Sequence, residues 1–504
     1  MTDHSPSSSP QLTDEPYPRR WLALAVIAVT VLMIVLDATI VNIALPAVAA
    51  DLDITPASQQ WIVTAYTLTF GGFLLLGGRI ADFWGRKRTY LVGAVGFALA
   101  SALGGIATNE ELLFAARALQ GTFGALLGPA SLALITVLFT DTVERAKAFA
   151  VYGAIAGGGS AVGLLLGGVL TEYADWRWCF WVNVPVAVFA IAAAIRVVPE
   201  SKASGETTYD IPGAVLVTLG LASLVYGFTQ VAEGAQTDPT ANAWGNATAL
   251  TFIGVGVALI AAFVVIELKV RNPLLPMRLV LDRNRGGAYL TSALVGAGLL
   301  GAFFFLSLYF QLVKGYTPIT AGLASLPSTV GVLIAAGVAS ALVPRLGPKP
   351  LMVAGGLLAA AGLGLMAFLE VDTPFVALAL PGQLLLGLGL GFTFVPLSNL
   401  ALVGVDGRDV GAASAVLQAV QQVGASIGTA LLSTLSVTAI TAAVTADRTL
   451  AGPAGPGPEA MTEGYTTAFA WGAVLLLAGA IVSAVLIRAT KDDLPVDAGA
   501  AHVG

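Results

Sequence analysis

LDATIVNIALP, residues 36–46, sits near the end of an apolar run that begins at Trp21. Asp37 is the single acid in that run, and Asn42 follows five residues later. A charged side chain at the centre of a membrane helix costs roughly 2.5–3.5 kcal/mol on insertion scales. Such a residue faces a bundle interior or a water-filled cavity and is by default a functional candidate. The run, about 25 residues, exceeds the 7–15 of a signal-peptide core, so it is expected to be a retained membrane span.

The rest of the chain reads the same way. Of 504 residues, 57% are hydrophobic and 11% charged, and mean hydropathy is +0.85. A soluble domain carries about 25% charged residues. The expectation is an all-α polytopic membrane protein. With about 20 apolar residues needed per span, fourteen helices are expected, near 21–45, 58–78, 89–107, 112–138, 149–170, 178–198, 211–231, 247–267, 288–312, 321–343, 350–370, 375–400, 411–440 and 467–488. Basic residues collect in cytoplasmic loops. With the N-terminus inside, 20 of the 24 Lys and Arg fall in inner segments or span ends beside them. Only Arg177, Lys314 and Arg448 fall outside, and Arg117 alone lies within a span. Removing one helix would invert every later loop, so both termini are expected in the cytoplasm and the protein in the cytoplasmic membrane.

Residues 1–20, rich in Ser, Pro and acids, read as a disordered cytoplasmic tail. A first six-helix bundle is expected over 21–198. Two inserted helices and a cytoplasmic linker follow over 199–287, then a second bundle over 288–488 and a tail over 489–504. The inserted pair carries no acid or base well inside either span and reads as peripheral. The Gly- and Pro-rich segment 440–466 reads as a flexible outer connection.

Some chemistry is excluded. Cys179 is the only cysteine, so no internal disulfide is possible. His4 and His502 lie in the tails, leaving no histidine in the spans for a metal site or a proton relay. The net charge of −6 with charges confined to loops does not suit nucleic acid. No Walker loop opens a soluble domain, so ATP hydrolysis is not indicated. Neither catalysis nor a cofactor is expected.

The two ends of the chain resemble each other. GRKRTYLVG (85–93) matches GPKPLMVAG (347–355). Gly124, Pro129 and Ser131 are spaced like Gly391, Pro396 and Ser398. Gly159 and Gly163 are echoed by Gly424 and Gly428. Each pair joins helices of the same direction, so the repeats are parallel, related by an axis along the membrane normal, a transporter device with the substrate path between the halves.

LDATIVNIALP, QQWIVTAYTL (59–68), GGRIADFWGRKR (77–88), RALQGTFGALLGPA (117–130), WRWCFWVNVP (176–185), NPLLPMRL (272–279) and GYTPITAGLASLP (315–327) together resemble the major facilitator superfamily. The ordered set is similar to its fourteen-helix drug:proton antiporter branch, over about residues 19–490. The resemblance implies the major facilitator fold, two six-helix bundles plus two inserted helices, and export of amphipathic compounds driven by the proton gradient. The chain departs from the branch in helix 5, where Leu164 follows Gly163 in place of proline. It also lacks the acids that some relatives carry in later helices.

Asp37 lies about 13 Å from the outer end of its span and Arg117 about 8 Å from the same face, at 1.5 Å per residue. Two opposite charges at similar depth are expected to pair. The pair is either a static pin between helices or the proton-coupling site. Burial favours the neutral acid and a nearby guanidinium the ionised one, so Asp37 could load and release a proton as its contacts change. Asn42 is expected to pack helices. The resemblance implies a conformational lock at Asp82, Gly85 and Arg86; the plainer reading is a solvated surface pair. Gly159, Gly163 and Gly167, four apart, form a close-packing stripe suited to a hinge. Trp61, Tyr66, Gln120, Phe304, Tyr309, Gln311, Asn399, Gln418, Gln421 and Gln422 are candidates for the substrate cavity, the last three because glutamines facing lipid are costly. The expected partners are lipid, a small amphipathic substrate and protons, and a monomer is expected. Alternatives are a dedicated exporter of one metabolite and a non-transporting receptor.

Overall fold

A bilayer core offers the backbone no hydrogen-bond partner, so apolar spans become helices. The structure, a computed structural model, describes residues 17–139, 141–202, 210–237, 243–270, 273, 277–402, 410–452 and 455–491. Its helices are α1 (Arg20–Asp51), α2 (Trp61–Trp84), α3 (Arg86–Gly105), α4 (Glu110–Leu138), α5 (Thr142–Tyr173), α6 (Trp178–Trp181), α7 (Asn183–Val197), α8 (Ile211–Thr237), α9 (Ala247–Glu267), α10 (Met277–Val280), α11 (Arg283–Leu308), α12 (Pro318–Leu346), α13 (Pro348–Met366), α14 (Ala379–Leu402), α15 (Val410–Ala446) and α16 (Pro458–Leu486). Among the described residues, twelve helical segments are long and apolar enough to cross a membrane, α6 and α7 forming one of them. With α3 and α5, 20 and 32 residues long, they make the fourteen expected crossings. The protein is a multi-pass membrane protein.

The contacts repeat between the two ends of the chain. α2 packs on α4 as α12 packs on α14, α3 on α4 as α13 on α14, and α1 on α5 as α11 on α15. The two sets meet along two seams, α2 with α15 and α5 with α12, each the counterpart of the other. This is the arrangement that parallel repeats require.

Several boundaries differ from the expectation, among them the end of α2 at Trp84, the start of α5 at Thr142 and the end of α8 at Thr237. α1 continues through Pro46 to Asp51 instead of stopping near residue 45. α15 runs to Ala446 and α16 starts at Pro458, so most of the expected 440–466 connection is helix. What remains holds a 3₁₀ turn at Arg448–Leu450 and a two-residue hairpin, Ala451–Gly452 against Gly455–Pro456. Pro458 begins α16 because its missing N–H costs nothing in a first turn. Burial of Tyr465 and Phe469 holds the added turns in place. The expected tails lie outside the described residues except for 17–20 and 489–491, as do Arg271 and Arg408.

α1 starts, and α16 ends, on one face, here called the terminal face; Asp51 lies at the opposite, distal face. Toward the distal face one apolar core crosses both halves. It joins Ile40–Leu45 of α1, Val63 of α2 and Leu164 of α5 to Phe304–Phe310, Leu363, Leu390 and Phe469 of the second half. Toward the terminal face the cores separate. The first half has its own cluster around Met33, Phe70, Tyr90 and Phe97, reached from the second half by Ala419 of α15. The second half has another around Met352, Leu397 and Ile487. Apolar packing across the halves is therefore broad on the distal side, and on the terminal side these clusters meet along the α2–α15 seam, where Ala419 and Leu75 reach across.

The inserted pair is not merely peripheral. α8 lies across the α2–α15 seam, where Leu68, Leu221, Val225 and Ala430 form one cluster. Thr229 Oγ1 accepts hydrogen bonds from Gln60 Nε2 and Trp61 Nε1 of α2, both at 3.0 Å. Thr434 Oγ1 of α15 donates to the Phe228 carbonyl at 2.9 Å. α9 meets little protein beyond α8 and presents Leu250, Val255 and Val257 outward. Thr229→Val leaves two donors without their acceptor and is expected to lower stability by about 2 kcal/mol. Thermal unfolding in detergent reads this as a lower melting temperature, whereas Thr251→Val, on the exposed α9 surface, leaves it unchanged.

Candidate functional site

Asp37 and Arg117 meet. Arg117 Nη1 donates to Asp37 Oδ2 at 2.6 Å, with the side chains 1% and 0% exposed. Asp37 Oδ1 accepts from Gln120 Nε2 at 2.7 Å and from Asn183 Nδ2 at 2.8 Å. Arg117 is held in turn by the Gln120 Oε1 acceptor at 2.9 Å and by the Ile62 carbonyl at 2.9 Å. Its guanidinium lies 4.5 Å from the centre of the Tyr66 ring. Ser101 Oγ accepts from Gln120 and Asn183, both at 3.0 Å, and donates to the Phe180 carbonyl. The network thus ties α1, α2, α3, α4, α6 and α7 together, entirely within the first half.

The local folding explains the convergence. Arg117 and Gln120 are three apart and share a face of α4. Asn109 caps α4 by accepting from Leu112 N at 2.9 Å, which sets the helix start and the depth of Arg117. α1 is pressed onto α5 by the glycine stripe. A Cβ at Gly159 would meet Val35 and Leu32, one at Gly163 would overlap Thr39, and one at Gly167 would come within 2.7 Å of the Ile40 carbonyl. These glycines therefore position the helix that carries Asp37.

Several cavity candidates sit elsewhere. Gln120 is fully buried in the Asp37 network. Tyr66 is 1% exposed beneath Arg117, and its hydroxyl has no hydrogen-bond partner. Trp61 is bound to Thr229 of α8. Phe304 packs edge-on to Phe305 in the distal core. Tyr309 donates to the Glu370 carbonyl at 2.9 Å, and Gln311 to the Ile43 carbonyl at 2.9 Å. Each is a candidate for its polarity or its ring, but each spends that feature on packing or on a hydrogen bond. Gln418, Gln421 and Gln422 are half-buried on α15, with Gln422 against Gly71 of α2 and Gln421 against Gly296 of α11. Asn399 is exposed near the terminal end of α14. Asn42 does not join helices through its amide: Nδ2 bonds the Ala38 carbonyl of its own helix at 3.1 Å and Oδ1 has no partner.

Asp82 and Arg86 pair at 2.9 Å across a break between helices. Gly85 adopts φ +123°, which a side chain rarely tolerates. Glu200 closes the break by accepting from Lys87 N at 3.1 Å, and Arg86 N donates to the Ser201 carbonyl at 2.9 Å. Asp82 therefore pairs within its own half. Asn183 and Ser101 are absent from the sequence-based candidates. The signal for Asn183 is an amide inside WRWCFWVNVP, a span otherwise apolar there; Ser101 carries none.

A bundle of two parallel six-helix repeats around a central seam, with a buried ion pair in one repeat, is the architecture of a secondary membrane transporter. The family model of the Major Facilitator Superfamily matches residues 27–429, and the chain belongs to that family. It is 45% identical over 496 residues to the puromycin resistance protein pur8 of Streptomyces alboniger, covering 97% of this chain and 95% of that one. It is 35% identical to the cephamycin export protein CmcT of Amycolatopsis lactamdurans, covering 94% and 93%. It is also 35% identical to the multidrug efflux pump LfrA of Mycolicibacterium smegmatis, covering 83% and 81%. Among solved structures, an inward-facing bacterial homologue of the lysosomal transporter Spinster matches with a TM-score of 0.65 at 15% identity, covering 96% of this chain and all of that one. That likeness shows the shared fold.

Removing one partner of a buried ion pair costs about 3–5 kcal/mol because the other charge is stranded. Arg117→Leu is expected to lower the melting temperature sharply, and adding Asp37→Asn to it to restore much of the loss. A double variant less stable than Arg117→Leu would contradict the pairing.

Proposed function

We propose that the protein exports amphipathic antibiotics or related toxic compounds across the cytoplasmic membrane, using the proton gradient and alternating access. The terminal face is cytoplasmic, as the placement of Lys and Arg supports. The distal face is outside, so the apolar core shared by both halves closes the path to the exterior. Both halves that flank the path come from one chain, so a monomer suffices.

The Asp37 network carries the proton reading. Arginine, glutamine and asparagine all present N–H groups to this carboxyl group. Protonation would turn one carboxyl oxygen into a donor facing donors, so Gln120, Asn183 or Arg117 must then move. Those side chains belong to α4 and α7, and their movement shifts the packing around α1. A proton arriving from outside is thereby converted into a rearrangement of the first half. We assign the substrate path to Gln418, Gln421 and Gln422, half-buried on α15 beside α2 and α11, which would offer polar contacts within an apolar surround, as a binding site for amphipathic molecules needs.

The test is uphill transport in proteoliposomes under an imposed pH gradient. Wild-type protein is expected to concentrate a fluorescent amphipathic drug, and Asp37→Asn to lose uphill transport while still inserting and binding. Uphill transport retained by Asp37→Asn would overturn the assignment. The names of the relatives that handle puromycin and cephamycin favour a second reading, a dedicated exporter of one antibiotic. A susceptibility panel separates the two: protection against many unrelated dyes and antibiotics supports the broad exporter, and protection against one chemical class supports the dedicated one.

A further inference from the structure

Pro46 lies inside α1, not at its end. Proline has no N–H, so the carbonyl four residues earlier, that of Asn42, loses its helical donor, and the ring pushes that carbonyl aside. A buried carbonyl without a partner is costly. Here the donor comes from the other half of the molecule. Ser307 Oγ of α11 donates to the Asn42 carbonyl at 2.6 Å. One turn later Gln311 Nε2 donates to the Ile43 carbonyl at 2.9 Å and to Ser307 Oγ at 3.0 Å. Gln311 lies in a π turn, Tyr309–Val313, that closes α11; such turns are rare and frequent at functional sites. Ser307 and Asn42 are 2% and 3% exposed, inside the region where the halves are sealed.

We propose that Pro46 with Ser307 and Gln311 forms the latch of the distal gate. Proline strips one carbonyl of its intrahelical donor, and α11 supplies replacements only while the distal side is closed. When the halves part there, water takes over the same acceptors, so the latch exchanges protein donors for solvent and remains reversible. The latch also has a natural input. Asn42 lies five residues beyond Asp37 on the unbroken helical stretch before the proline, about 7.5 Å along the axis. A rearrangement at Asp37 therefore reaches the latch through one rigid element. This last link rests on the proton-coupling reading above; the latch itself does not.

The test measures the distal opening directly. Spin labels at Glu111→Cys and Asp372→Cys place one probe in each half, both on exposed distal residues, with the native buried cysteine removed by Cys179→Ala. Distances are recorded by pulsed electron resonance in nanodiscs, without drug and without a pH gradient. Ser307→Ala with Gln311→Leu is expected to raise the ratio of long to short distances about tenfold, the effect of losing two ordinary hydrogen bonds. Gln311→Met keeps much of the volume, removes the donor and shifts the ratio in the same direction, which covers a packing defect in the leucine variant. Pro46→Ala returns an N–H to the Asn42 carbonyl, so adding Ser307→Ala to it changes the ratio far less than Ser307→Ala does alone. Unchanged distances in Gln311→Met and in Ser307→Ala with Gln311→Leu overturn the latch, as does full additivity of Pro46→Ala and Ser307→Ala. Because no gradient or substrate is present, a failure here is separate from a failure of proton-coupled export.

Discussion

A carboxylate and a guanidinium, each withdrawn from water, meet at 2.6 Å in the first half of this protein. Neither charge is tolerable there alone, and the desolvation of both demands that their remaining valences be filled. Gln120, Asn183, Ser101 and the Ile62 carbonyl fill them. The helices that bring those groups must therefore hold fixed depths and rotations. The glycine stripe of α5, the Asn109 cap of α4 and the ring of Tyr66 are the means by which they do so. The second half repeats the packing but has no such ion pair in its described spans.

Those seams differ in character from one face to the other. Distally, apolar side chains of both halves interleave, and the polar contacts across them end on backbone groups: Ser307 and Gln311 on α1 carbonyls, and Glu172 of α5 accepting from Ile319 N at the start of α12. Bonds of this kind can be handed to water without stranding a charge. α8 adds a third element on one seam, touching α2 and α15 together. An inserted helix so placed feels any movement of one half against the other.

Much of this is legible from the residues. Hydropathy and the placement of Lys and Arg count the crossings, because the bilayer imposes both. The pairing of Asp37 with Arg117 follows from depth alone, since two lone opposite charges have few other places to go. The polar candidates for the cavity are legible only as polar. Gln120, Tyr309 and Gln311 look alike in a sequence, and their different duties depend on which carbonyl or carboxylate the fold brings near. Pro46 looks like a helix end because a proline usually reads as a stop. In the structure the helix passes through it, and the carbonyl it frees is satisfied by a residue 265 positions away, a distance no local pattern encodes. Asn183 is hidden for the same reason: an amide near a span start has many possible partners.

Proton movement driven by drug measures most directly whether Asp37 exchanges the proton that drives transport. Proteoliposomes are given a drug gradient and no initial pH gradient, and internal pH is followed with a trapped dye. Drug leaving down its gradient is expected to drive protons the opposite way in the wild-type protein, and Asp37→Asn, compared at equal amounts of folded, reconstituted protein because Arg117 is left unpaired, is expected to abolish this counterflow. Counterflow of wild-type size in Asp37→Asn would contradict it.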